Sequence, residues 1–385
     1  MPHLTDYIEW RGDLAFTSDP FNEIDSLIFA EIAYVEADDV FREELFSHAM
    51  TLEELYKRYL PYADHRTKRI NDPVPLFAVV SSAPRFKDVS VSHFINVLDP
   101  VKAIQFSAMT FRLPDDTICV SFRGTDATTT GWREDFNFSY MNHAPSQILA
   151  KEYLNEIASK FEGKIRVTGH SKGGNLAVYA SVFAKEEVKE RILDVYSNDG
   201  PGFLKPIISS EEYKSMIPKM HHFIPEESMI GILMTNLTDP IIVESDSYGA
   251  YQHNPLYWRI MGNHFIEAEK RSSSSVLLDD TIRGWLESCT EKERKTFVTH
   301  VFNAIEATGA NRVSDIKKNP LRIYNALFRA ILALDSPIQK QLWETVSKLA
   351  KSGSYVLSEE MKKEIAKRDF LSFFRKGISE QPSKE

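Results

Sequence analysis

Apolar positions in the opening stretch recur at helical spacing. Ile24, Leu27, Ile28, Ile32 and Val35 follow Ser18-Asp19-Pro20, which reads as an N-cap with a proline in the first turn. Leu55 and Tyr59 follow Thr51-Leu52-Glu53-Glu54, a capping box. A mainly helical segment ending near Pro61 is predicted. From there to Pro100 the chain reads as irregular, broken by Pro73, Pro75 and Pro84. The period then becomes that of strands: AIQFSAMTFRL (103–113) and TICVSF (117–122) flank the turn Pro114-Asp115-Asp116. A helix at 148–161 ended by Gly163, a short apolar strand at 165–168, a helix at 175–184 and a strand at 192–196 follow. Strand alternating with helix builds parallel βαβ units, so the predicted class is α/β with a mostly parallel sheet.

Beyond residue 270 only helical periodicity remains. Ser272–Ser275 reads as a linker. Thr290-Glu291-Lys292-Glu293 is a capping box ahead of Phe297, Val298, Val301, Phe302 and Ile305, and Gly309 reads as a C-cap. Further helices are predicted at 319–334 and 338–349, with a last one from Ser358 carrying Met361, Ile365 and Leu371.

Charge sharpens that boundary. The chain of 385 residues has a net charge of −9, which argues against nucleic acid as a partner. Residues 271–385 hold 20 basic and 15 acidic residues, a balance of +5, which leaves −14 for residues 1–270. Two units are therefore expected: residues 1–270, containing the α/β core and a helical N-terminal segment, and residues 271–385, an all-helical extension. Cys119 and Cys289 are too few for a disulfide framework and read as inert thiols. The first residues lack the basic-then-apolar pattern of a secretory signal, and no run of about 18 apolar residues is present, so a cytoplasmic protein is expected.

The chemistry concentrates in IRVTGHSKGGNLA. Gly169-x-Ser171-x-Gly173 falls between a strand and a helix, the setting of a nucleophile elbow. A serine on such a turn is held in a strained conformation, so its neighbours two residues away must be small. The following helix points its free N–H groups at a developing oxyanion. An earlier strand ends in Val120-Ser-Phe-Arg-Gly-Thr-Asp126, followed by Trp132 and Asp135. FRGT followed by GHSKGG resembles the class 3 lipases, a branch of the α/β-hydrolase fold, over roughly residues 100–260. Within them the chain looks nearest to bacterial lipase-like proteins of unassigned function. The resemblance implies an α/β-hydrolase core and an oxyanion hole built from the backbone N–H groups of Thr125 and Lys172. It also matches Trp132 and Asp135 to a Trp and an Asp of the family's FRG loop.

Serine needs a base, and histidine suits neutral pH. The order serine, acid, histidine leaves His221, His222, His253, His264 and His300. His253, in the polar, turn-rich GAYQHNPLYW, is the candidate and also resembles the family's base ahead of an aromatic residue. His264 is the reserve. His170 is expected to point away from Ser171 across the elbow. The acid stays open. The family places an aspartate in an Asp-x-Val-Pro context, where this chain has FIPEES, so Glu226 or Glu227 is one choice. Asp199 in YSNDGPGF is the other and is preferred, because it follows a strand directly, at the carboxyl end where functional residues of α/β sheets collect.

The expected activity is hydrolysis of a carboxylic ester, of a small molecule or a lipid, through an acyl-enzyme on Ser171, with no metal or organic cofactor. A thioesterase or acyltransferase is the first alternative, and a catalytically silent fold acting as a binding module the second. His221, His222 and Glu226 lack a further matched ligand for a metal. The basic, Phe-rich segment with Lys362, Lys363, Lys367, Arg368, Arg375 and Lys376 reads as a solvated helix in preference to a peripheral membrane contact. Met229–Met234 reads as packing in preference to an acyl-chain wall. Oligomeric state is not legible.

Overall fold

Eight strands form one sheet in chain order: β1 (Met50–Thr51), β2 (Ser90–Asp99), β3 (Ile104–Arg112), β4 (Ile118–Phe122), β5 (Ile165–His170), β6 (Ile192–Asn198), β7 (Met220–Pro225) and β8 (Ile241–Val243). The computed structural model describes residues 1–41, 48–63, 72–318 and 320–356. The first four strands pair antiparallel and β4 to β8 pair parallel. The class is α/β with a mostly parallel sheet.

Each face of the sheet has its own apolar core. Helices Pro145–Lys160 and Lys172–Val182, the crossovers between β4, β5 and β6, cover one face with Leu154, Ile157, Leu176, Ala177 and Ala180 packed on Val120, Phe122 and Val167. The other face is covered from the N-terminal side by the leader helix Glu23–Ile32, whose Ile24, Leu27 and Ile28 are fully buried with Phe86 and Phe111. Covered on both sides, β4 is buried at every position, as parallel strands generally are.

Several elements differ from the sequence reading. The leader helix starts later than Ser18-Asp19-Pro20: Asn22 is its cap, accepting from Ile24 N and Asp25 N, and Asp25 closes the box by accepting from Asn22 N. Pro61 lies inside the helix Leu52–Ala63. The segment between Pro61 and Pro100, predicted to be irregular, contains helix Val74–Val80 and strand β2. The alternation of β2 is disrupted between Ser92 and Ile95, where His93 has φ 55° and the register to β3 shifts. Ser272 caps the helix Ser273–Ser288, so the serine run is a helix start and not a linker. His264–Phe265 pairs with Ile260–Met261 as a short hairpin that the sequence does not announce.

Residues 273–356 comprise the helices Ser273–Ser288, Glu291–Glu306, Val313–Lys318, Pro320–Leu332 and Ser336–Val356. The capping box at Thr290 and Glu293 is formed, and Gly309 has φ 77°. The helix expected from Ser358, including Met361, Ile365, Leu371 and the basic Phe-rich cluster, lies outside the described residues. No described helix is long and apolar enough to cross a membrane.

Candidate active site

The carboxyl ends of β4, β5 and β6 converge. Ser171 follows β5 directly and precedes the helix Lys172–Val182, with φ 59° and ψ −132°, a conformation rarely adopted by a side-chain-bearing residue. Its N–H donates to Asn198 O at 2.9 Å, tying the turn to the end of β6. A Cβ on Gly169 would lie 2.1 Å from the backbone of Gly173, and one on Gly173 would lie 2.1 Å from Phe122 O. The spacing of two residues on either side of the serine is thus a packing requirement of the elbow itself.

Asp199, one residue beyond β6, is fully buried and has φ 48°. Its Oδ2 lies 2.5 Å from His253 Nδ1. Its Oδ1 accepts from Ser228 Oγ at 2.5 Å and from Gly231 N at 3.0 Å. Burial alone would push this carboxyl up, but the hydrogen bond and charge of His253, with the Ser228 hydroxyl, hold it below its ordinary range. The imidazole of His253 remains partly exposed, at 22% for the side chain. Glu226 and Glu227 are placed differently. Glu227 accepts from Gly249 N and its own N–H donates to Gln252 Oε1, so it braces the loop that carries His253. Glu226 is half-buried near Glu244, and burial and that neighbouring charge push it up. His264 is exposed, 3.7 Å from Glu23, away from this cluster. His221 pairs with Asp194. Burial pushes His222 down to about 4, leaving it neutral near pH 7.

On the other side of the serine, Thr125 follows β4 and its hydroxyl donates to Asp135 Oδ2 at 2.5 Å. Burial pushes Asp135 up to about 7, against the pull of Lys172 and Thr125. Trp132, on the helix Thr129–Asn137 with Asp135, is 45% exposed. Lys172 is the first residue of the elbow helix, where the main-chain N–H has no intrahelical acceptor. Its side chain is buried and gives hydrogen bonds to Gln105 O and Oε1, both 2.6 Å, and to Glu134 Oε2 at 3.1 Å. Glu134 also accepts from Gln105 N and Ser146 N, so this buried ion pair has its hydrogen bonds filled.

Residues 80–303, more than half of the chain, match the family model Mbeg1-like. The chain belongs to the Mbeg1-like family. This family is lipase-like and has no assigned function. No curated protein and no solved structure matches the chain. The two segments that carried the resemblance, FRGT and GHSKGG, both lie within the Mbeg1-like match.

Parts of the site escaped the sequence reading. His170, expected to point away from Ser171, lays its ring on that of His253, with centroids 4.6 Å apart, a contact the sequence did not signal. It also brings in Glu31 and Tyr34 from the leader, outside the Mbeg1-like match. Ser228 and Gly231 were invisible as partners of Asp199, since nothing in FIPEESMIG distinguishes an anchoring serine from a loop serine. The stretch Met229–Met234 supplies one of those anchors through Gly231 N. Among the described residues no group of three or more His, Cys, Asp or Glu side chains is arranged to hold a metal. Both cysteines are free and buried, and burial pushes the Cys119 thiol up.

Proposed function

We propose that the protein is a serine hydrolase that cleaves carboxylic esters. The observation that carries this reading is the Asp199–His253 couple set against an elbow whose serine has positive φ at a helix N-terminus. In the proposed cycle Ser171 Oγ attacks the ester carbonyl and His253 Nε2 takes the hydroxyl proton. The carbonyl oxygen gains the charge, and the main-chain N–H groups of Thr125 and Lys172 stabilise it. Collapse of the tetrahedral intermediate breaks the acyl–oxygen bond, and His253 returns its proton to the departing alcohol. Water then attacks the acyl-Ser171 with His253 again as base; the acyl–Oγ bond breaks, His253 returns the proton to Ser171 Oγ, and the acid leaves. Asp199 keeps the imidazole in the Nδ1–H tautomer throughout. The fold reading that accompanies this proposal is an α/β-hydrolase core, in a protein of the cytoplasm.

Labelling by a fluorophosphonate, together with turnover of a panel of short and long p-nitrophenyl esters, tests the proposal. The wild type is expected to label and turn over, and Ser171→Ala to do neither. Asp199→Asn is expected to lose about 10⁴-fold in kcat, as loss of the correct tautomer does in such triads. Glu226→Gln should retain activity. An unlabelled wild type that is inactive on every ester would instead favour a silent binding fold. Faster turnover of thioesters, or acyl transfer to an added alcohol, would redirect the same acyl-enzyme to a thioesterase or acyltransferase.

A further inference from the structure

Beside the Asp199–His253 couple stands a second one. Glu31, near the end of the leader helix, and His170, the last residue of β5, are both buried, with Glu31 Oε1 at 3.1 Å from His170 Nδ1. The other ring nitrogen, His170 Nε2, lies 2.9 Å from the main-chain oxygen of His253. A carbonyl only accepts, so Nε2 carries a proton. The Glu31 carboxylate, 3.1 Å from Nδ1, and the Tyr34 hydroxyl, 3.4 Å from it, face the other nitrogen, and the charge of Glu31 favours a proton there, which makes the ring an imidazolium. Burial works against that charge, but Glu31, Asp199 and the His253 carbonyl together hold His170 above the usual histidine range.

We propose that Glu31 and His170 are positioning residues of the ester-cleaving site, a clamp by which the leader fixes the main chain of the loop bearing His253. This rests on the reading of Ser171, His253 and Asp199 as the reacting groups. The clamp also sets the charge around the base. With Glu31 and Asp199 ionised and His170 cationic, the cluster carries one net negative charge while His253 is neutral, and none once His253 has taken the serine proton. The charge that develops on His253 is therefore balanced within a mostly buried cluster. Glu31 and Tyr34 precede residue 80, where the family match starts, so the leader completes a site that the matched segment does not contain by itself. The groups facing His170 are Glu31 and Tyr34 from the leader side, Asp199 from beyond β6, and His253 from its own loop.

The sign of the pH effect follows from the raised pKa. The ion pair of the clamp is intact below it and is lost as pH rises through it, because Glu31 then faces a ring lone pair, while Nε2–H still reaches the His253 carbonyl. The test compares wild type, Glu31→Gln, Glu31→Leu and His170→Phe by kcat and KM on a p-nitrophenyl ester from pH 5 to 10. Each protein is also followed by imidazole ¹⁵N NMR. His170→Phe keeps a ring against His253 but gives no hydrogen bond. It and Glu31→Leu are expected to lose about 10- to 100-fold in kcat with KM changed less than threefold. Glu31→Gln, whose amide can donate to Nδ1, should recover most of that loss and should lack the alkaline decline of the wild type. Wild-type kcat in folded His170→Phe, or an alkaline limb unchanged in Glu31→Gln, overturns the proposal. If the wild type itself hydrolyses nothing, the hydrolase reading fails separately and the NMR decides the couple. An imidazole signal that is absent in His170→Phe, doubly protonated at pH 7 and singly protonated in Glu31→Gln, supports it. A singly protonated ring at pH 6 in the wild type refutes it.

Discussion

Asp135 shows how one buried atom sets a pH response. Its Oδ2 accepts the Thr125 hydroxyl, while Oδ1 is out of solvent and has no hydrogen-bond partner among the described residues. The ordinary aspartate value is about 3.9, so a folded value of about 7 means that folding favours the protonated form. The resulting contribution to stability is complete below the unfolded value and is lost as pH rises through the folded one. Asp135→Asn keeps an acceptor for Thr125 and cannot ionise. Thermal unfolding should show a higher Tm than wild type at pH 8, with the difference shrinking progressively as pH falls toward about 4. A lower Tm at pH 8 would mean that attraction to Lys172 outweighs burial. The Thr125 hydroxyl gives its only proton to Asp135, so in the proposed cycle the residue would offer an oxyanion its main-chain N–H alone. The sequence places Thr125 and Asp135 by resemblance, but their pairing and the buried, unpartnered Oδ1 needed coordinates.

At the scale of elements, the strand–elbow–helix unit was the most legible part of the chain. β5, Ser171 and the helix Lys172–Val182 are contiguous, and the glycines at 169 and 173 are forced by contacts within the unit and with β4. Gly173→Ala brings a methyl against Phe122 O, a main-chain atom that cannot swing aside. It should cost about 1–3 kcal/mol or more, seen as a lower Tm, and slow fluorophosphonate labelling of Ser171. Unchanged labelling would show that the elbow tolerates separation from β4. β2 was illegible for the opposite reason. Its irregularity at Ser92–Ile95 interrupts the period, and only pairing with β1 and β3 makes it a strand. Asn22 was passed over as a cap because Ser18-Asp19-Pro20 carries a stronger local signal; burial of Ile24 and Leu27 on the sheet fixes where the helix begins.

Across the whole molecule, the leader is locked to the core by a buried network. Arg85 donates to both carboxylate oxygens of Asp25, at 3.0 and 2.5 Å, and to the main-chain oxygens of Leu14 and Asp19; Tyr7 donates to Asp25 as well. Asp25→Ala leaves a buried guanidinium without its counter-charge and should cost about 3–5 kcal/mol. Chemical denaturation of Asp25→Ala against Asp25→Ala/Arg85→Met measures this, and the double variant should recover part of the loss. Toward the other end, we retain as a proposal the division into residues 1–270 and 271–385. Across it, Ser272 N donates to Glu226 O, Val313 N to Ala127 O and Thr129 N to Asn311 O, and Arg133 pairs with Glu306. These contacts reach the helix that carries Trp132 and Asp135, and the family match itself runs on to residue 303.

The sequence by itself determined the α/β class and the strand–turn–helix unit around Ser171, and proposed a short set of partners for that serine, because the unit is written in contiguous residues whose spacing obeys local sterics. Tertiary structure alone decided which carboxylate meets His253, why His170 faces that ring, and how a leader distant in sequence reaches it. Those choices depend on which strand ends converge and which charges share a buried volume, and neither is encoded in spacing along the chain.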